Sequence, residues 1–243
     1  ALDGLGFGTD GTLWGGEFLL ADYHACARLA GLRPIALPGA ARALQEPWRN
    51  TWSYLATELG WDTLARDWAD LELVQWLQLR PVETLQAMCT SGLNSPLSSA
   101  CGRLFDAVAG ALDICRERIS YEGQAAIMLE NAARRAPAES AAYPFAVGRE
   151  AIASAPMWRA LLADLRDGVE QATIAARFHN GLARALSELG TALCARHDLH
   201  TVALSGGVVQ NRTLLHALQQ QLDAQRQALA QQLRFIEVGA ELE

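Results

Sequence analysis

Ser205-Gly206-Gly207-Val208-Val209-Gln210-Asn211 follows directly on the apolar run Thr201-Val202-Ala203-Leu204. The order reads as a short buried strand, a two-glycine loop and a helix beginning near Asn211. Adjacent glycines let a backbone approach a ligand that any Cβ would exclude. A helix start just beyond offers free N–H groups and the positive end of a dipole, which suit a phosphate or nucleotide. A tight turn without a ligand would carry the same pattern. A second glycine-rich stretch, Asp3-Gly4-Leu5-Gly6-Phe7-Gly8, opens the chain. Glycine at every second position strips one strand face of side chains, which weakens a strand unless something lies against it. Asp3 has the chemistry to hold a divalent cation beside phosphates; a glycine-rich tight hairpin is the plainer reading.

Two further stretches carry charge in unusual settings. In Ser98-Ser99-Ala100-Cys101-Gly102-Arg103-Leu104-Phe105-Asp106-Ala107-Val108-Ala109, the polar members of an apolar helical stripe are Arg103 and Asp106, three residues apart. They read first as a solvent-exposed ion pair of about 0–1 kcal/mol; the functional alternative makes Asp106 an acceptor for ribose hydroxyls. In Ser120-Tyr121-Glu122-Gly123-Gln124, Ser120 caps a helix and Glu122 sits in its first turn, where the dipole favours a carboxylate. Gly123 there is expected to let a backbone or ligand come close. His197 and His200, three apart, lack a second carboxylate beyond Asp198. His179 lies on an apolar helix and reads as a satisfied, partly buried side chain.

These groups are positioned by a helix-rich chain of 243 residues. Residues 1–23 read as β structure, with Asp10-Gly11 as a hairpin turn and a third strand over Phe18–Tyr23. Residues 24–46 read as a connection with short helical pieces. Residues 47–196 are mostly helical, with helices near 97–115, from Ser120 to about 135, and near 156–167 and 169–196, and a loop over 136–155. Residues 200–238 hold the strand–glycine–helix unit and a closing strand over Leu233–Val238, and Gln219–Gln232 reads as a solvated helix. The length suffices for one large domain or two small ones.

Composition excludes several chemistries. All 20 basic residues are arginine, so there is no lysine Schiff base and no P-loop lysine. A net charge of -7 without a basic stripe makes nucleic acid a poor partner. No run reaches transmembrane length and no signal peptide opens the chain. The five cysteines are irregularly spaced, which argues against a disulfide framework or structural zinc and for a reduced, cytoplasmic protein.

Together the motifs resemble the HypF carbamoyltransferases. Asp3-Gly4-x-Gly6-x-Gly8 with Asp10-Gly11-Thr12-Leu13-Trp14-Gly15-Gly16-Glu17 is similar to that family's glycine-rich hairpin. Leu37-Pro38-Gly39-Ala40, Pro47-Trp48-Arg49, Ser98–Ala109, Tyr121–Ala126, Phe178-His179 and Ser205-Gly206-Gly207-Val208-x-x-Asn211 are similar to further family segments, so the resemblance runs from residue 2 to about 215. It implies an α/β, helix-rich part of a TsaD-like domain of the actin/sugar-kinase (ASKHA) superfamily. It also implies transfer of a carbamoyl group from ATP-derived carbamoyl-adenylate to the C-terminal cysteine of HypE, for the cyanide ligand of [NiFe]-hydrogenase.

By position, Gly206, Gly207 and Asn211 would cradle the adenylate. Asp106 and Glu122 would hold ribose hydroxyls, Gly102 would let the base or ribose approach, and Asp3 would face phosphate and a divalent metal. Acylphosphatase, zinc-finger and YrdC-like domains are expected upstream in a parent chain. The family's metal-binding histidine cluster is expected just before Ala1. Its late DGG segment is expected about where this chain stops, and Glu237–Glu243 does not match it. Most metal ligands would therefore lie outside this chain, which alone would be inactive. A small-molecule O-carbamoyltransferase, a TsaD-type tRNA-modifying activity and a partner-docking module are the alternative readings.

Overall fold

The computed structural model describes residues 1–228 and 234–237, with side chains to residue 225. The chain opens with β1 (Leu2–Phe7), β2 (Leu13–Ala21), β3 (Cys26–Leu32) and β4 (Ile35–Ala36). Helices α1 (Ala41–Gln45), α2 (Pro47–Leu59), α3 (Trp61–Asp67), α4 (Glu72–Gln78) and α5 (Val82–Ser91) follow. Next come β5 (Leu97–Ser98), α6 (Cys101–Ala111), α7 (Gln124–Ala133), β6 (Ala146–Val147), β7 (Ala151–Ala153), α8 (Ala155–Arg166) and α9 (Gln171–His197). The last unit is β8 (Thr201–Leu204), a 3-10 turn (Gly207–Gln210), α10 (Arg212–Ala228) and β9 (Arg234–Glu237).

Asp10-Gly11 turns the chain as expected. Gly11 has φ +79°, the left-handed region that glycine enters at little cost. Asp10 Oδ1 accepts from Thr12 N at 2.9 Å, Thr12 Oγ1 at 2.7 Å and Trp14 Nε1 at 3.0 Å. These bonds hold the Asp10 carboxyl below its ordinary range. The result is the antiparallel β1–β2 hairpin.

Strand β2 changes partners halfway. Its first half lies with β1 and, in parallel, with β5 at Leu13↔Ser98; its second half pairs with β3 from Glu17↔Gly31 to Ala21↔Cys26. The mixed sheet runs β4-β5-β2-β3-β7-β6, and β8 and β9 form a separate parallel pair. Phe18–Ala21 is thus the second half of β2, not a third strand. The third strand is β3, within the segment read as a connection. Cys26-Ala27-Arg28 has neither alternation nor β-branching, so pairing with β2 and β7 makes it a strand rather than local propensity. β8 was expected to be buried. It is not: Thr201 and Ala203 are exposed, and Val202 and Leu204 are half-buried.

Helix α6 is the centre of the core. Every residue from Cys101 to Ala111 is buried, Arg103 and Asp106 included, so burial extends well beyond the expected apolar stripe. α2 packs closely on it, and Thr51 Oγ1 donates to Ala107 O at 2.8 Å. α9 and α7 cover other faces; Phe105 meets Phe178 edge-to-face at 5.0 Å. α10 buries Leu214, Leu218 and Leu222, and Gln225 Nε2 donates to Ser187 Oγ at 3.1 Å. The stretch read as a solvated helix therefore has a packed face as far as Gln225. Its continuation from Leu229 to Gln232, like Leu233 and Val238 to Glu243, lies outside the described residues. Among the described residues no helix is long and apolar enough to cross a membrane.

Candidate nucleotide site

Three segments far apart in sequence meet at the first turn of β1. Leu2 N donates to Ser205 O at 2.7 Å. Asp3 Oδ1 accepts from Gly4 N at 2.7 Å and from Gly207 N at 3.3 Å. On the other side, α6 begins so close that a Cβ on Gly102 would stand 2.9 Å from Gly4 Cα. Glycine at 102 is what permits that approach, whereas a Cβ on Gly4 would meet open space. A Cβ on Gly206 would stand 2.3 Å from Leu2 O, and Gly206 has φ +102°. Gly206 is therefore needed first for its own contact with β1, and Gly207 directs its N–H at a carboxylate. The Gly207 N–H is thus already taken by the Asp3 carboxylate.

Asn211 ends the 3-10 turn and caps α10. Its Oδ1 accepts from Leu214 N at 2.9 Å, the cap expected of asparagine. α10 begins at Arg212, in line with the expected start near Asn211, and the 3-10 turn precedes it. The Asn211 amide nitrogen lies 3.1 Å from His179 Nε2.

Arg103 and Asp106 do not form a surface pair. Their side chains are 9% and 2% exposed. Arg103 Nη2 lies 3.0 Å from Asp106 Oδ2, a charge contact without hydrogen-bond alignment, and Arg103 Nε, Asp106 Oδ2 and the nearby Tyr54 hydroxyl have no hydrogen-bond partner among the described residues. Burial pushes the Asp106 carboxyl up to about 6, with Arg103 pulling the other way. The sequence held the signal for this burial. A helix apolar on nearly every face has no solvent side on which to place an ion pair.

Glu122 stands apart. It is exposed in the turn before α7, which starts at Gln124 rather than at Ser120. Gln124 Oε1 reaches back to accept from Ser120 N at 2.6 Å. Gly123 has φ +77°, and a Cβ there would meet only Ile127 Cδ1 at 3.9 Å, an ordinary contact. Its glycine serves backbone conformation and not a close approach. Glu122 makes no hydrogen bond or ion pair among the described residues.

Glu17 carries more of the geometry than its sequence position alone reveals. It is 3% exposed. Its Oε2 accepts from Gly16 N at 2.6 Å and from Gly15 N at 2.5 Å, and its Oε1 from Ser99 Oγ and Arg28 Nη2. This carboxylate pins β2 to the segment entering α6, and so sets Gly102 against Gly4. Among the described residues no three His, Cys, Asp or Glu side chains converge on a point that could hold a metal. Asp3 is a single carboxylate, and the donors present do not fit a metal centre. A polar cleft of about 820 Å³ lies elsewhere, between Glu139, Arg184, Glu188 and Gln221.

A family described as "Carbamoyltransferase, Kae1-like Domain, second subdomain" matches residues 1–235. The chain belongs to the HypF carbamoyltransferase family. It is 41% identical to the carbamoyltransferase HypF of Rhodobacter capsulatus over 88% of its own length and 27% of that protein's. It is 35% identical to HypF2 of Cupriavidus necator, over 92% of this chain and 30% of that one. Two solved HypF structures superpose with a TM-score of 0.83 each. One, from T. kodakarensis, shares 30% identity over 100% of this chain and 31% of its own. The other, a full-length HypF in its phosphate- and nucleotide-bound form, shares 26% identity over 98% of this chain and 30% of its own. The chain thus spans less than a third of these HypF relatives. The mixed α/β fold is that of a HypF Kae1-like domain.

Proposed function

We propose that the chain forms the nucleotide-holding wall of a site that takes carbamoyl from ATP-derived carbamoyl-adenylate and delivers it to the C-terminal cysteine of HypE. The observation that carries this reading is the meeting of Asp3, Gly102 and Gly206-Gly207 at one place. A contact between residues 204 positions apart brings the two glycine-rich segments and the start of α6 together, a juxtaposition that the nucleotide reading needs and a bare turn does not. The nucleotide-bound form of one HypF relative supports the same ligand class.

In the transfer, the cysteine thiolate attacks the carbamoyl carbon, a C–S bond forms, and the C–O bond to phosphate breaks with AMP leaving. The Gly207 N–H faces the phosphate. It now donates to Asp3, so an entering phosphate must turn the exposed Asp3 carboxylate aside. Asp106 Oδ2 lacks a hydrogen-bond partner and has capacity for a ribose hydroxyl, which reaches it only when its present cover shifts. Exposed Glu122 supplies the second ribose acceptor. Asn211 holds the adenylate from the end of the loop. This chain's described donors do not gather around a divalent metal, and in this reading the metal's ligands belong mostly to the rest of the parent protein. The YrdC-like, zinc-finger and acylphosphatase domains belong in this reading to the rest of a cytoplasmic parent protein, and the isolated chain is inactive.

Titration of the parent protein with a non-hydrolysable carbamoyl-adenylate mimic tests the site, and mass spectrometry of HypE for a carbamoylated C-terminal cysteine tests the reaction. Asp106→Ala and Asn211→Ala should each weaken binding. Binding indifferent to both would sink the site assignment.

A further inference from the structure

We propose that His179 is a positioning residue of the nucleotide site: it holds the Asn211 amide and thereby fixes the end of the glycine loop against the Asp106 helix. The inference rests on the nucleotide reading above. His179 is fully enclosed on α9. Its Nδ1 lies 2.7 Å from Ala175 O. A carbonyl only accepts, so Nδ1 carries the proton and Nε2 is left as an acceptor. Nε2 faces the Asn211 amide nitrogen at 3.1 Å. That contact in turn assigns the amide: nitrogen to the histidine, Oδ1 to Leu214 N. Burial holds the ring's pKa down to about 4, so the acceptor persists at neutral pH.

The same ring is edge-to-face with Phe105 at 5.3 Å, and Phe105 precedes Asp106 on α6. One imidazole therefore joins α9, the start of α10 and the helix that bears Asp106. A cap needs only the Asn211 oxygen, and Ser or Asp would serve as well. The amide nitrogen, fixed by a buried histidine, goes beyond what the cap requires. Its second N–H has no protein acceptor among the described residues and is free to meet an acceptor on the ligand.

The test is ATP affinity by calorimetry in the full parent protein. H179N keeps a donor near Ala175 O and removes the acceptor at Nε2; H179Q keeps an acceptor near Nε2. H179N should weaken ATP about fivefold, the worth of a net hydrogen bond of about 1 kcal/mol, and H179Q should recover most of that loss. N211S, which retains the cap and deletes the amide, should match H179N, and the double variant should lose no more than either single one. Equal affinities for H179N and H179Q, or losses that multiply in the double variant, overturn the positioning role and leave the nucleotide site standing. Wild-type affinity in N211S also overturns the positioning role, and the nucleotide reading falls with it only if Asp106→Ala is silent too. Should H179N fail to fold, nitrogen NMR of the wild type decides: a protonated Nε2 refutes the proposal.

Discussion

Two buried groups should push stability in opposite directions over the same pH range. His179 keeps a pKa of about 4 in the fold against an ordinary 6.5. As pH falls below 6.5 the unfolded histidine takes up a proton that the folded one refuses, so stability drops until about pH 4. That gap is worth about 3 kcal/mol. Asp106 sits at about 6 against an ordinary 3.8. Between those values the folded state binds the extra proton, so stability rises as pH falls, again by about 3 kcal/mol. The wild type should therefore change little between pH 4.5 and 6.5. H179Q removes the first effect and should grow more stable as pH falls across this window. D106N removes the second and should lose stability as pH falls. The assay is equilibrium urea unfolding at several pH values, with the slope of each variant compared to wild type. The carboxyls of Asp10, Asp22, Asp67, Asp70 and Glu139 are held below their ordinary values, so their stabilising contribution is present above those ordinary values and fades only from the acid edge of this window downward. If the H179Q and wild-type curves run parallel from pH 4.5 to 6.5, the reasoning about enclosure is wrong.

Other consequences follow from contacts. Arg103→Leu strands the Asp106 charge and should cost about 3–5 kcal/mol at pH 8, with less loss at pH 5, where the carboxyl is largely protonated; urea unfolding at both pH values checks this. Gly206→Ala sets a Cβ 2.3 Å from Leu2 O at a φ of +102° and should cost about 1–3 kcal/mol along with nucleotide affinity. Glu17→Gln keeps one oxygen for the Gly15 and Gly16 N–H groups but turns its NH2 toward the Arg28 donor and Ser99, and should cost about 1–3 kcal/mol, seen as a lower urea midpoint.

Local chemistry was legible in the chain. Asp10-Gly11 specifies a hairpin because only the side chain of residue 10 and the φ freedom of residue 11 are needed. The strand–glycine–helix order at 201–212 and the largely apolar helix around Phe105 are likewise set by neighbours within a turn or two. β3 was not legible, because its order comes from strands on both sides and not from its own residues. Gly123 showed a glycine requirement but not its kind; only the backbone angle separates left-handed conformation from close approach.

The sequence by itself determined the family, through motifs spread from residue 2 to about 215, and the elements that carry the candidate site. Tertiary structure alone decided what those motif residues touch. Asp3 reaches Gly207 across 204 positions, His179 finds Asn211, and Arg103 and Asp106 are enclosed where their i,i+3 spacing allowed a surface pair. The reason is physical. Spacing fixes which side chains share a helix face, but whether that face meets water or another helix depends on contacts between distant segments.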